Sequence, residues 1–198
     1  MAKSLREEHT ERTKKALLKA AWSLFCKQGY DATSLDAVAK KARVTKGAVY
    51  HHYSSKKKLF QAIYEKAASK LAGEVAKQPI EAAPGSHQRL FALMKGFLTA
   101  CQDAELLQIT FVDGPAVLGP EACREVDERY ALGKLREELG MWLGETPTFD
   151  LNLLVHTTLS MMIEFSQQVA TAERPEQVMK EALSIWKAFV QGLHAAKG

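Results

Sequence analysis

Thr45-Lys46-Gly47-Ala48, followed one turn later by Tyr50-His51-His52 and then by Lys56-Lys57-Lys58, is the stretch whose residue types and spacing could do chemistry. That chemistry is recognition of a polyanion. At the start of a helix, small polar residues suit close approach to a nucleic-acid groove. Gly47 lets the backbone come near, Ala48 can meet a thymine methyl, and Lys46 can reach a guanine edge or a phosphate. Tyr50, His51 and His52 offer hydroxyl and imidazole donors at a distance suited to phosphates, and the lysines add charge. Helix N-termini hold anions through their unpaired N–H groups and dipole, so Thr33 with Ser34 on one side and Lys56 on the other would clamp a backbone.

Other chemistries find no support. His51 and His52 are adjacent, diverge by about 100° on a helix, and cannot share a metal as an i, i+4 pair could. There is no Gly-rich phosphate loop, no His-Glu-x-x-His, no Cys-x-x-Cys and no Gly-x-Ser-x-Gly elbow, so no catalytic residue, metal or cofactor is expected. Cys26, Cys101 and Cys123 are odd in number and widely spaced, which reads as small hydrophobes in a reducing compartment, with a redox sensor as the lesser alternative.

The elements that must position the basic stretch are helices. Leu17, Ala20, Ala21, Leu24 and Phe25 recur at helical steps and Gly29 follows as a stop, predicting a first helix over about 10–28. Thr33-Ser34-Leu35-Asp36 has the form of a capping box, with Thr33 as the cap, for a second helix over about 34–41. Thr45 is the N-cap expected for a third over about 46–52. Ser54-Ser55 caps a fourth that runs to about Lys77, and 79–85 reads as a loop. Further helices are expected over about 86–102, 104–112 and 121–143, with Asp113-Gly114-Pro115 interrupting the pattern and Pro147 ending it. Strands are not expected, because no run alternates in the required way.

The last two helices carry unusually broad apolar arcs. Over 149–171, Leu151, Leu154, Leu159, Met161, Met162 and Phe165 belong to an arc of roughly 200°, wider than one core requires. After Pro175, Ile185, Trp186, Phe189 and Leu193 belong to another. Two such neighbours suggest a partner surface. Met94, Phe97, Phe111, Trp142, Met161 and Met162 could line an apolar pocket, since Met and aromatic side chains adapt to varied ligands. Each also suits ordinary core. His156 stands at the edge of the 149–171 arc, where a solvent-facing or hydrogen-bonded histidine competes with a ligand contact.

Composition agrees with a soluble globular chain of 198 residues, 46% hydrophobic and 25% charged, which excludes disorder, collagen and a disulfide scaffold. No stretch approaches about 18 uninterrupted apolar residues, and the first fifteen residues lack the apolar core of a signal peptide, so a cytoplasmic protein without membrane attachment is expected. The net charge of +4 is unevenly spread. Residues 1–66 hold 15 Lys and Arg against 6 Asp and Glu, whereas 67–198 hold 12 against 17. A basic first third suits nucleic acid or an anionic membrane surface.

Residues 13–63 resemble the DNA-binding domain of the tetracycline-repressor (TetR) family. The resemblance is carried by Ala20-Ala21, Leu24-Phe25, Gly29-Tyr30, Thr33-Ser34-Leu35, Val38-Ala39, Ala42, Val44-Thr45, Lys46-Gly47-Ala48, Val49-Tyr50, Tyr53, Ser55-Lys56 and Leu59. Two positions depart from the family pattern. Arg43 replaces a turn glycine, at something like 1 kcal/mol if φ is positive there, which a phosphate contact would offset. Tyr53 replaces Phe and keeps the aromatic packing. The segment Asp113–Gly119 resembles one recurring in a branch of the family's C-terminal domains.

The resemblance implies an all-α homodimer of about nine helices per subunit. The DNA-binding domain would cover 10–69, with its helix-turn-helix over about 33–52, and an effector-binding and dimerising domain would cover 70–198. Thr33, Ser34, Arg43, Thr45, Lys46, Gly47, Ala48, Tyr50, His51 and Lys56 become the expected DNA contacts. Met94, Phe97, Phe111, Trp142, His156, Met161 and Met162 become candidates for the effector site. Leu151, Leu154, Leu159, Met162, Phe165, Ile185, Trp186, Phe189 and Leu193 become candidates for the dimer interface.

The expected function is that of a repressor that binds a palindromic operator in double-stranded DNA and is released by a small apolar or amphipathic effector. The fourth helix would be the lever. An activator or ligand-independent regulator of the same fold, and a small-molecule-binding module that does not touch DNA, are the alternatives.

Overall fold

A computed structural model describes residues 4–77, 81–144 and 149–196. Pro79 and Ile80 of the expected loop, and Pro147, lie outside the described residues. Among those described there is no strand, and the chain forms nine continuous helices. Two of the nine change pitch along their length.

Local capping explains the first four. Helix α1 (Leu5–Gln28) begins at Ser4, whose hydroxyl accepts from Glu7 N–H while the Glu7 side chain accepts from Ser4 N–H. This capping box starts α1 five residues earlier than the apolar periodicity predicts. Helix α2 (Leu35–Ala42) is capped by Ser34, whose hydroxyl accepts from Ala37 N–H at 3.1 Å. Thr33 therefore does not have the expected capping role. It is buried, and its hydroxyl donates to Gly29 O at 2.8 Å, tying the end of α1 to the start of α2. Helix α3 (Lys46–His52) is capped by Thr45 as expected. Helix α4 (Lys56–Ala76) opens with the Ser55 hydroxyl accepting from Lys58 N–H.

The expected break at Asp113-Gly114-Pro115 does not occur. Helix α6 (Ala104–Leu107) passes into a π-helical segment, Gln108–Asp113, and then directly into α7 (Gly114–Leu118). Pro115 sits at the start of α7, directly after the π-helical turn. A second such transition links α8 (Pro120–Asp127) through π-helical Glu128–Leu132 to α9 (Gly133–Leu143). The remaining helices are α5 (His87–Ala100), α10 (Leu151–Thr171) and α11 (Pro175–Ala195).

The described residues form two compact units. One runs up to Ala67 and includes Gln108–Cys123; the other comprises Ala68–Leu107 and the chain from Arg124. The division expected from sequence, 10–69 and 70–198, assigns 108–123 to the later part, but these residues pack within the first unit. That unit is centred on Leu17, Phe25, Val38, Val49, Leu59, Phe60 and Ile63, all without solvent exposure, each contributing about 1.5–3 kcal/mol by leaving water. Phe25, Tyr30 and Phe60 form an aromatic cluster with centroids 5.2–5.8 Å apart.

In the second unit α5 packs against α9, α10 and α11. The Trp186 indole N–H donates to Leu90 O at 3.1 Å. The Glu138 carboxylate is buried and accepts from Arg89 Nε and Nη2 at 3.0 and 2.9 Å. Cys101 and Cys123 are buried, and burial pushes the Cys101 thiol up to about 12. Among the described residues no helix is long and apolar enough to cross a membrane.

Gly114 is held by close approach. A Cβ there would lie 2.4 Å from Tyr64 Cε2 and 3.0 Å from Ile109 O. Tyr64 is itself buried, so its ring has little room to withdraw. Gly114→Ala should lower stability by about 1–3 kcal/mol, read as a lower urea midpoint with an unchanged m-value.

Candidate nucleic-acid interface

Only Val49 is buried within the seven residues of α3, and Tyr53, just past its end, is the next anchor. Everything else on the helix faces outward at least in part. Thr45, Lys46, Gly47, Tyr50 and His51 are exposed, and Ala48 is half-buried. Tyr50 keeps 49% of its surface in solvent, which is unusual for an aromatic side chain with no packing task. The expected contacts Ser34 and Arg43 are exposed on the adjoining end and turn of α2.

Arg43 takes φ +57° and ψ +43° and is the non-glycine residue in left-handed backbone among those described. Its N–H closes α2 onto Ala39 O and Lys40 O, which turns the chain sharply into α3. The side chain is left in solvent beside the recognition helix.

Two shallow grooves flank α3. One is lined by Ser34, Asp36, Lys46, Tyr50 and Ser55, among others. The other brings His9, Thr10 and Thr13 of α1 beside Thr45, Ala48 and His51. Thr10 and Thr13 fall inside the helix expected over 10–28, but their nearness to α3 is a tertiary contact that periodicity does not carry. The Ser4-x-x-Glu7 capping box extends the same helix back over His9.

Lys46 is not an unengaged cation. Its Nζ lies 2.9 Å from Asp36, with both side chains about 60% exposed. The hydrogen bond and charge of Asp36 raise the lysine above its ordinary range. A Lys46 that reached for a base edge or phosphate would have to exchange that partner or carry it along, which would bring Asp36 into the contact. Lys56 is also engaged. Its Nζ donates to Tyr30 O at 3.0 Å and Asp31 O at 3.3 Å and sits 4.1 Å from the Tyr30 ring centroid. It fastens the start of α4 to the α1–α2 corner, whereas Lys57 and Lys58 remain exposed. His52 is partly covered; burial, followed by neighbouring His51, lowers its pKa.

The other expected residues scatter. Met94, Phe97 and Trp142 are buried, while His156, Met161 and Met162 are half-buried, all within the second unit; Phe111 belongs to the first. Of the expected interface residues, Leu154 and Trp186 are core, 6% and 2% exposed. Ile185 is 54% exposed, and Leu151, Leu159, Phe165, Phe189 and Leu193 are intermediate.

A three-helix unit that offers the N-terminal half of a short, capped helix from a basic segment defines a helix-turn-helix DNA-binding protein. Residues 17–63 match the family described as "Bacterial regulatory proteins, tetR family", and residues 87–193 match "Tetracyclin repressor-like, C-terminal domain". The chain belongs to the TetR family, whose members are transcriptional regulators, not enzymes.

It is 31% identical to the uncharacterized HTH-type transcriptional regulator YhgD of Bacillus subtilis over 158 residues, covering 76% of this chain and 80% of that one. It is 43% identical to the transposon Tn10 TetC protein of Escherichia coli over 63 residues, 32% of each chain. The matches to the first curated relatives span only 30–41% of those proteins. In fold, the chain is similar to a TetR-family regulator from Pectobacterium atrosepticum, with TM-score 0.71, 21% identity, and 96% and 97% of the two chains covered.

The backbone at Arg43 yields a direct test. A left-handed non-glycine residue costs about 1–2 kcal/mol, and glycine returns part of that gain as chain entropy. Arg43→Gly should therefore stabilise the protein by about 1 kcal/mol in chemical denaturation.

Proposed function

We propose that the protein is a repressor that binds a palindromic operator as a homodimer and leaves it when a small apolar or amphipathic effector binds the domain at 70–198. The observation that carries the DNA half of this reading is the outward face of α3, where Lys46, Gly47 and Tyr50 are exposed around a single buried anchor. Exposed side chains there match the need for base-edge contacts from the first turns of a recognition helix. The charge split supports the same reading, since the basic excess falls in residues 1–66.

The dimer half rests on α11. Ile185, Ala188 and Gly192 are exposed, and Phe189 is half-buried, forming an outward stripe at three- and four-residue spacing. Small residues at Ala188 and Gly192 allow another helix to approach closely. A dimer on this stripe would present two copies of α3, which must sit about 34–36 Å apart to enter successive major grooves.

Two measurements test the proposal, using an operator selected by the wild-type protein from random-sequence duplexes. Lys46→Ala with Tyr50→Ala should weaken operator binding by at least about tenfold and reduce the slope of log K against log salt by about 1. Unchanged affinity and slope would remove α3 from the interface. Ile185→Asp should shift the protein toward monomer in sedimentation velocity and weaken operator binding in parallel. A dimer unaffected by the charge would place the interface elsewhere.

A further inference from the structure

The second unit contains a cleft of about 730 Å³ between α5 and α11. None of the residues expected for the effector is among its lining, but Trp142 stands beside it, its ring centroid 6.0 Å from that of His87 and 6.4 Å from that of His194. Its apolar wall is made by Phe91, Trp186 and Val190. Because the Trp186 N–H is already donated to Leu90 O, the indole contributes apolar surface to this wall. His87, Lys187 and His194 supply its nitrogen groups, with the two imidazole rings perpendicular and 4.3 Å apart. Among the described residues no carboxylate lines it. The nearby Arg89 is already neutralised by Glu138, whereas Lys187 has no ion-pair partner among the described residues.

We propose that this cleft takes an amphipathic organic anion, a carboxylate carrying a hydrocarbon or aromatic body. The size falls within the range of small-molecule sites, which join apolar walls to a few placed polar groups. The one-sided charge chooses the ligand. Lysine and imidazole N–H groups form charge-assisted hydrogen bonds to a carboxylate and gain nothing from a cation or a hydrocarbon end.

A second copy of the chain is a poor occupant. At about 100° per residue, Lys187, Gln191 and His194 lie about 120–180° around α11 from Ile185. The cleft and the outward stripe are therefore different faces of one helix, and a partner docked on the stripe leaves the cleft open.

The inference rests on the proposed function only for its consequence at the operator, so binding and release are measured separately. Full-length protein is titrated with decanoate, 1-decanol and decyltrimethylammonium below their micellar concentrations, following tryptophan fluorescence. Decanoate should bind saturably and at least about tenfold more tightly than the other two. Lys187→Gln with His194→Gln, both at exposed positions, should remove that preference and leave 1-decanol binding unchanged. Equal affinity for the three amphiphiles, or decanoate binding unaltered in the double variant, would overturn the assignment. So would a double variant that changes the monomer–dimer equilibrium, because the cleft would then be occupied by the partner copy. Decanoate that binds selectively without releasing operator upholds the cleft and counts against effector release instead.

Discussion

A recognition helix of seven residues cannot hold itself together, and the first unit is organised around supplying what it lacks. Nucleating so short a helix costs more than its few internal hydrogen bonds return. The deficit is met from outside: Thr45 caps the first turn, Val49 fixes it to the core, Tyr53 fixes the far end, and Arg43 sets the entry angle through strained backbone. With one inward residue serving as anchor, the rest of the surface is left for contact.

The same economy explains why the two lysines differ. Lys56 binds the carbonyls of Tyr30 and Asp31 in the turn between α1 and α2, and so joins three elements at a corner. Its charge is used in satisfying backbone acceptors. Lys46 pairs with Asp36 in solvent, where an ion pair contributes little to stability. The pair instead directs a flexible amine and adds a carboxylate to a surface that is otherwise basic.

Caps and periodicity made much of this legible in the sequence. Thr45 and the bounds of α3 follow from local rules, the turn position of Arg43 follows from the family resemblance, and the structure has them as expected. The misses have causes outside the patterns used. Thr33 and Ser34 are both N-cap residue types, and the role falls to Ser34 because the Thr33 hydroxyl donates back to Gly29, four residues earlier. Lys56 reaches Tyr30 across 26 residues. A test for a 3.6-residue period cannot detect the one-residue slip of a π-helical turn, so 108–113 was expected to lie beside a break. A broad apolar arc gives the same signal for core and for partner surface, and only burial separates Trp186 from Ile185.

The chain is also divided otherwise than as two successive domains. A single lever, α4, was expected to join them. The chain instead passes between units three times, at 67–68, 107–108 and 123–124, and each crossing falls within or directly between helical elements. Gln108–Asp113 has the altered, π-helical pitch, and Gly114 at its end is packed against the Tyr64 ring of α4. For a ligand in the second unit to bias DNA binding, it must prefer one conformation of the chain to another, and the shift it produces is limited by that difference in affinity.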